Sequence, residues 1–295
     1  MSKLVIIIPT HNRKNYLRRL LYAINRQLIK DMELEIVVVD DGSVDGTSEM
    51  IINEFSNIHI VKGNGNWWFT KSLNEGIKYA KERNPDFILT MNDDGFFEKD
   101  FLANLYFDYL TIKEPCIIGA ITVITSNPYR VTFSGTKSFI KWRVRLVPYI
   151  DNRLEINVKE LSGIYPTYSL MTRGLLIPWE VGQSVNFFDE EYFPQYGSDD
   201  DFTLRVIKKG YKAFVSWNAK IFDEPSLSSK GSAITRPKFM EFIKSFFDKY
   251  SVNSIKKKIN FQKRNGFKIL LPITLPYFII GTFKAYLWKY RKKNI

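Results

Sequence analysis

The residues best placed to do chemistry are Asp93 and Asp94, in the run Asn92-Asp93-Asp94-Gly95 that ends the apolar segment Phe87 to Met91. Two adjacent carboxylates repel each other unless a positive partner lies between or beside them, and a divalent cation is the usual solution. The same four residues are also good turn formers. A second acidic pair, Asp40-Asp41, closes the segment Glu33 to Val39 in the same way. A third group, Asp199-Asp200-Asp201, follows Gly197-Ser198. There the acids would sit in the first turn of a helix, where they suit the dipole and Ser198 is a good cap.

The elements that must hold these groups follow from periodicity. Phe87 to Met91 is nearly continuous in apolar residues, as a strand buried on both faces is. Lys3 to Ile8, Glu33 to Val39 and Ile58 to Val61 give three more strands. Tyr16 to Leu28 repeats apolar residues with a helical period, a second helix reaches about Phe55 with Asp45 or Thr47 as its cap, and a third spans about Thr70 to Lys81. This strand-helix alternation predicts a doubly wound α/β sheet with right-handed crossovers. Thr10, Asn12, Arg13, Asp40, Asp41, Asp93 and Asp94 then collect at one sheet edge, where open α/β folds bind nucleotides. Neither a Gly-x-Gly-x-x-Gly nor a Gly-Lys-Ser/Thr phosphate loop follows the first strand, so a bound metal is the natural counter-charge for a diphosphate.

Farther on, Cys116 to Thr125, Tyr129 to Phe133 and Ile140 to Ile150 read as strands, the last with Lys141, Arg143 and Arg145 alternating with apolar residues. Those three bases form either a solvated face or a surface near an anionic acceptor. Cys116 is the one cysteine, which excludes an intramolecular disulfide and a thiolate metal cluster. Val5 to Ile8 is too short for the apolar core of a signal peptide.

The net charge of +12 is uneven. From Lys230 onward, 16 Lys and Arg face only Glu241 and Asp248; this segment is +14 and the preceding residues −2. Ser226 to Ser232 reads as a linker. Beyond it, aromatic residues recur at helical spacing among lysines, and an apolar run from Ile269 to Phe283 ends before Arg291-Lys292-Lys293. Fifteen residues make a helix of about 22 Å, shorter than a hydrocarbon core of about 30 Å. With Pro272, Pro276 and Gly281 breaking it, the run predicts a tail seated at a membrane interface rather than spanning it. Packing on the body would leave the same pattern.

Three motifs in register carry a family resemblance: Val5-Ile-Ile-Ile-Pro-Thr-His-Asn-Arg13, Val37-Val-Val-Asp-Asp-Gly-Ser43 and Leu89-Thr-Met-Asn-Asp-Asp94. The chain resembles the family 2 glycosyltransferases of GT-A fold over roughly its first 225 residues. Gly63-Asn-Gly-Asn-Trp-Trp68 with Leu73-Asn-Glu-Gly-Ile77 is similar to the rhamnosyltransferase-like branch that builds bacterial surface polysaccharides. The resemblance implies a GT-A domain at 1–225, with a nucleotide-sugar half to about 95 and an acceptor half beyond. A basic, membrane-associating helical tail is expected at 226–295. It implies a donor site of Pro9, Thr10, Asn12, Arg13, Asp41, Gly65, Trp67 and Asp93, in which Asp41 reads the base. It further implies a Mn²⁺ or Mg²⁺ ion on Asp94, with Asp93 and Asp223 as further ligands. Tyr196-Gly-Ser-Asp-Asp-Asp-Phe-Thr-Leu-Arg205 is similar to the family's base segment. Asp199 takes the base position, Asp201 is the alternative, and Arg205 is an ion-pair support. Ser198 stands where the family often has glutamate, and Arg173 and Gly174 fall at the sugar and acceptor side.

The implied reaction is inverting transfer from a UDP- or dTDP-sugar to a glycan or lipid-linked hydroxyl, at the cytoplasmic face of the cell membrane. Two other classes compete. A nucleotidyltransferase would use the same carboxylates but normally carries a glycine-rich loop in place of Pro9-Thr10-His11-Asn12. A nucleic-acid-binding protein would explain the basic tail, not the acids of a body of net −2, so nucleic acid is not an expected partner.

Overall fold

A computed structural model of the chain describes residues 1–29, 32–124, 129–223 and 238–291. The first half alternates β1 (Ser2–Thr10), α1 (Lys14–Asn25), β2 (Met32–Asp40), α2 (Thr47–Glu54), β3 (Ile58–Lys62), α3 (Trp68–Lys81) and β4 (Phe87–Thr90). β1 pairs in parallel with β2 and β4, and β2 with β3. The continuous apolar strands earn their place by burial on both faces. Ile6 and Ile8 of β1 pack with Leu17, Leu20 and Leu21 of α1, while Val5 and Ile7 pack with Leu73 and Ile77 of α3. Gly76 lets α3 lie this close: a Cβ there would meet Ile7 at 2.5 Å and Val39 at 2.9 Å.

The second half turns the sheet mixed. It comprises β5 (Gly95–Phe96), α4 (Phe101–Thr111), β6 (Cys116–Ile124), β7 (Arg130–Phe133), β8 (Thr136–Ile140), β9 (Arg145–Pro148), β10 (Ile164–Pro166), β11 (Leu175–Pro178), α5 (Trp179–Ser184), α6 (Ser198–Lys208) and β12 (Lys212–Asp223). The sheet runs β10-β12-β6-β11-β4-β1-β2-β3, with β5 on β12 and β7 on β6. β11 is antiparallel to both β4 and β6, and β12 is parallel to β6. The predicted strand over 140–150 is a hairpin, β8 with β9, whose tip holds Trp142 and Arg143.

The C-terminal part forms α7 (Phe239–Ser245), α8 (Ile255–Asn265) and α9 (Leu271–Arg291). The linker expected at Ser226 to Ser232, the 225/226 boundary and Lys292-Lys293 lie outside the described residues. The apolar run is not broken as expected. Pro272 falls in the first turn, where a missing N–H costs nothing, and α9 continues through Pro276 for 21 residues, about 31 Å. It is long and apolar enough to cross a membrane. Residues 238–266 lie against the body: Arg264 and Asn265 of α8 bond to Asp201 of α6, and Tyr250 stacks on Trp68 at 4.0 Å.

Candidate active site

The carboxyl ends of β1, β2 and β4 open onto one cleft of about 370 Å³. Pro9, Thr10, Arg13, Asp41, Gly65, Asp93 and Asp94 line it, joined by His11, Trp68, Phe69, Ser72, Asn92, Arg173 and Gln195. Parallel pairing sets Thr10 opposite Asp40, so the polar residues after adjacent strands meet across a single strand spacing.

Two arginines bind the acids of this cleft together. Arg13 Nη1 donates to Asp93 Oδ1 at 2.8 Å and to Asp94 Oδ2 at 2.9 Å. Arg173 Nη2 donates to Asp94 Oδ1 at 2.8 Å, and its Nη1 donates to Asp223 at the end of β12. Thr10 Oγ1 donates to Asp93 Oδ2 at 2.8 Å. Burial pushes the Asp93 carboxyl up, and Arg13 and Thr10 oppose the shift; burial also disfavours charge on Arg13, yet Asp93 and Asp94 hold it above its ordinary value. Three carboxylates against two guanidinium groups leave the cluster with one net negative charge.

Can this set hold a divalent cation? Among the described residues no three His, Cys, Asp or Glu side chains are grouped to hold one unaided. Asp94 and Asp223 are hard oxygen donors bridged by one guanidinium, and Asn92 Oδ1 is buried without a partner. A cation bound by one or two carboxylates and the phosphates of its substrate fits that set. Arg173 already fills the bridge, so a cation there must displace it.

Asp41 is more engaged than its motif implies. Its two oxygens accept backbone N–H groups from Gly65 at 2.8 Å, Trp67 at 2.9 Å and Trp68 at 3.1 Å, fixing the loop that opens α3. Gly63 must be glycine here, since a Cβ would lie 2.5 Å from Asp41 Oδ1. Two expected donor residues lie off the cleft wall. Asn12, at φ 53°, accepts from Val44 N at 2.8 Å and ties the first loop to the second. Trp67 packs against the core while Trp68, at φ 60°, lines the cleft. A tandem Trp-Trp at a loop-helix junction has no periodicity to say which ring turns outward. Residues such as Gln195 and Tyr250 carry no local signal at all, because they come from distant segments.

The acidic group at α6 divides into distinct environments. Gly197, at φ 85°, takes the cap position, so Ser198 is the first helical residue and accepts from Thr70 Oγ1 at 3.1 Å. Thr70 N also donates to Pro194 O at 3.1 Å, which joins the start of α3 to the start of α6. Asp201 is fully buried, with Arg205 Nε at 2.8 Å, Arg264 Nη1 at 2.9 Å and Asn265 Nδ2 at 3.1 Å. Asp199 and Asp200 are half-buried; Ser169 donates to Asp200, and Asp199 makes no contact with an arginine in the described set. Burial raises both carboxyls, Asp200 to about 7 with Asp199 adding repulsion. Lys257 of α8 faces the pair; burial lowers its ammonium to about 8 against the pull of Asp200 and Asp199. Chemically, the cleft offers two guanidinium groups to a phosphorylated ligand among its carboxylates, while Asp199 and Asp200 are not among the residues that line it.

Residues 5–176 match the model of Glycosyl transferase family 2. The chain is 30% identical over 107 residues to an uncharacterized glycosyltransferase of Mycoplasma genitalium, covering 34% of this chain and 35% of that protein, so it spans about a third of that relative. It is 28% identical over 262 residues to the dolichyl N-acetyl-alpha-D-glucosaminyl phosphate 3-beta-D-2,3-diacetamido-2,3-dideoxy-beta-D-glucuronosyltransferase of Methanococcus voltae, covering 83% of this chain and 70% of that protein. Its fold is shared with the mannosyltransferase PcManGT of Pyrobaculum calidifontis, solved with GDP-Man and Mn²⁺, at TM-score 0.57 and 14% identity over 97% of this chain and 71% of that one.

Proposed function

The chain belongs to glycosyl transferase family 2, a GT-A glycosyltransferase, and we propose that it moves a hexosyl or deoxyhexosyl group, with inversion, from a UDP- or dTDP-sugar to a glycan or lipid-linked hydroxyl. The product is a cell-surface polysaccharide, built at the cytoplasmic face of the membrane. The observation that carries this reading is the cluster at the cleft in which Asp93 and Asp94 after β4 and Asp223 at the end of β12 converge on Arg13 and Arg173.

In this reading the nucleoside lies along Pro9 to Arg13 and the Asp41-fastened loop. Asp94 and Asp223 would hold a divalent cation, which when bound neutralises charge on the leaving diphosphate. Arg13 and Arg173 place guanidinium donors where that charge develops. The acceptor oxygen attacks the anomeric carbon, its bond to the diphosphate oxygen breaks on the opposite face, and the hydroxyl proton passes to Asp199. Asp201, sealed by Arg205, Arg264 and Asn265, is the support that fixes α6 rather than the base. Incubating the protein with a panel of nucleotide sugars and Mn²⁺ or Mg²⁺ tests the proposal: nucleoside diphosphate should be released. Release of pyrophosphate instead would make it a nucleotidyltransferase.

A further inference from the structure

We propose that the exposed side of α9 and the tip of the β8–β9 hairpin form one surface that lies flat on a bilayer containing anionic phospholipid. This deepens the membrane part of the proposed function, and it assigns the contact partly to the catalytic body.

The exposed residues of α9 and the turn before it follow one helical stripe: Ile269, Ile273, Tyr277, Ile280, Leu287 and Trp288 are each more than half exposed. At 3.6 residues per turn they fall within about 100° of one another, on one face. The opposite face is occupied by protein. Phe283 lies 5.0 Å from Phe242 and 5.6 Å from Phe246, and Tyr286 stacks on Phe242 at 4.1 Å. An exposed apolar stripe of this length, interrupted only by Lys284, on a helix that is packed along one side marks an interaction surface.

The hairpin tip meets that stripe. Arg143 Nη2 donates to Tyr277 Oη at 2.9 Å, and its guanidinium lies 5.1 Å from the rings of both Tyr277 and Trp142. Gly266, before α9, seats the tip closely, for a Cβ there would meet Val144 at 2.7 Å. Trp142 is thereby held, 55% exposed, beside the stripe, flanked by exposed Lys141 and Arg145.

Charge selects the occupant. Lys284 lies exposed within the stripe, one turn from Ile280 and from Trp288, Lys268 precedes it, and the segment from Lys230 onward is +14, which suits an anionic leaflet and opposes a second copy of the same cationic face. Orientation follows from packing. Were α9 to span, Arg143 on Tyr277 would be drawn to membrane depth and the Phe242–Phe283 face stripped of its partners, both costly. Lying flat, α9 buries its stripe at the headgroup boundary, Trp142 and Trp288 take the interfacial place that indole prefers, and the lysines reach the phosphates.

The test is flotation of the full-length chain with phosphatidylcholine vesicles with and without phosphatidylglycerol, together with sedimentation in the absence of lipid. The wild type should float with the anionic vesicles, and salt should release it only in part. Trp142→Ser and Ile273→Ser should each weaken flotation by about tenfold, the effect expected of withdrawing one large apolar side chain. Both should leave melting temperature and nucleotide-sugar hydrolysis unchanged, since neither residue touches the cleft. If Trp142→Ser floats like the wild type, the body takes no part and the proposal falls. It falls equally if Ile273→Ser dissociates a dimer in solution without changing flotation. A wild type that floats as expected but splits no nucleotide sugar would overturn the proposed function and leave this surface standing.

Discussion

Asp199 and Asp201 differ by two positions and by everything around them. Asp199→Asn keeps shape and should lower turnover by about 10²–10⁴ while donor affinity survives, the usual loss on removing a general base; isothermal titration with the nucleoside diphosphate beside steady-state rates checks both halves. Because burial raises the Asp199–Asp200 pair, the acidic limb of the rate profile should lie above the ordinary carboxylate range. The same shift has a sign for stability. A carboxyl held above its unfolded value favours the native state at low pH and penalises it as pH rises from about 4 through about 7. Asp200→Asn should therefore raise the melting temperature at pH 8 and leave it unchanged at pH 4. Arg173 bridges Asp94 and Asp223 in the place a cation would take. Arg173→Met should let the protein bind Mn²⁺ without nucleotide at least tenfold more tightly than wild type; equal affinities by calorimetry would mean the bridge is no obstacle.

At the level of elements, α8 matters to the site although it lies beyond the matched region. It brings Arg264 and Asn265 onto Asp201 and Lys257 towards Asp199 and Asp200. A carboxylate with no exposed surface is expensive once its partners go. Asp201→Ala, which strands Arg205 and Arg264 instead, should cost about 3–5 kcal/mol, read as a lower midpoint in urea. Asp201→Asn should share part of that loss and spare the pH profile; if it moves the profile and Asp199→Asn does not, the base is Asp201. A chain ending before α7 should lose stability for the same reason, since α6 would keep a buried acid with only Arg205.

Over the whole molecule, the cleft is assembled from the ends of β1, β2 and β4, the start of α3, Arg173 before β11 and Gln195 before α6, so a ligand filling it clamps both halves of the sheet. Nucleoside diphosphate with Mn²⁺ should raise the melting temperature more than either alone; at a hundredfold excess over Kd the gain is about 2.7 kcal/mol. Strictly additive effects in thermal denaturation would count against a cation and a diphosphate sharing one site.

Periodicity determined the strands of the first half and their acidic ends. Apolar runs buried on both faces can only be central strands, and parallel crossovers then bring their carboxyl ends to one edge. The motifs Val37 to Ser43 and Leu89 to Asp94 made the family legible for a related reason: local backbone and chemistry are fixed together within a few residues. Tertiary structure alone decided what depends on distant partners. It turned Trp68 rather than Trp67 to the cleft, laid Arg173 across Asp94 and Asp223, and buried Asp201 under α8. It also carried α9 unbroken through Pro276, with Phe283 beyond it packed on Phe242 and Phe246. Side-chain direction, ion pairing and the covering of a helix face are set by neighbours that spacing along a chain does not encode.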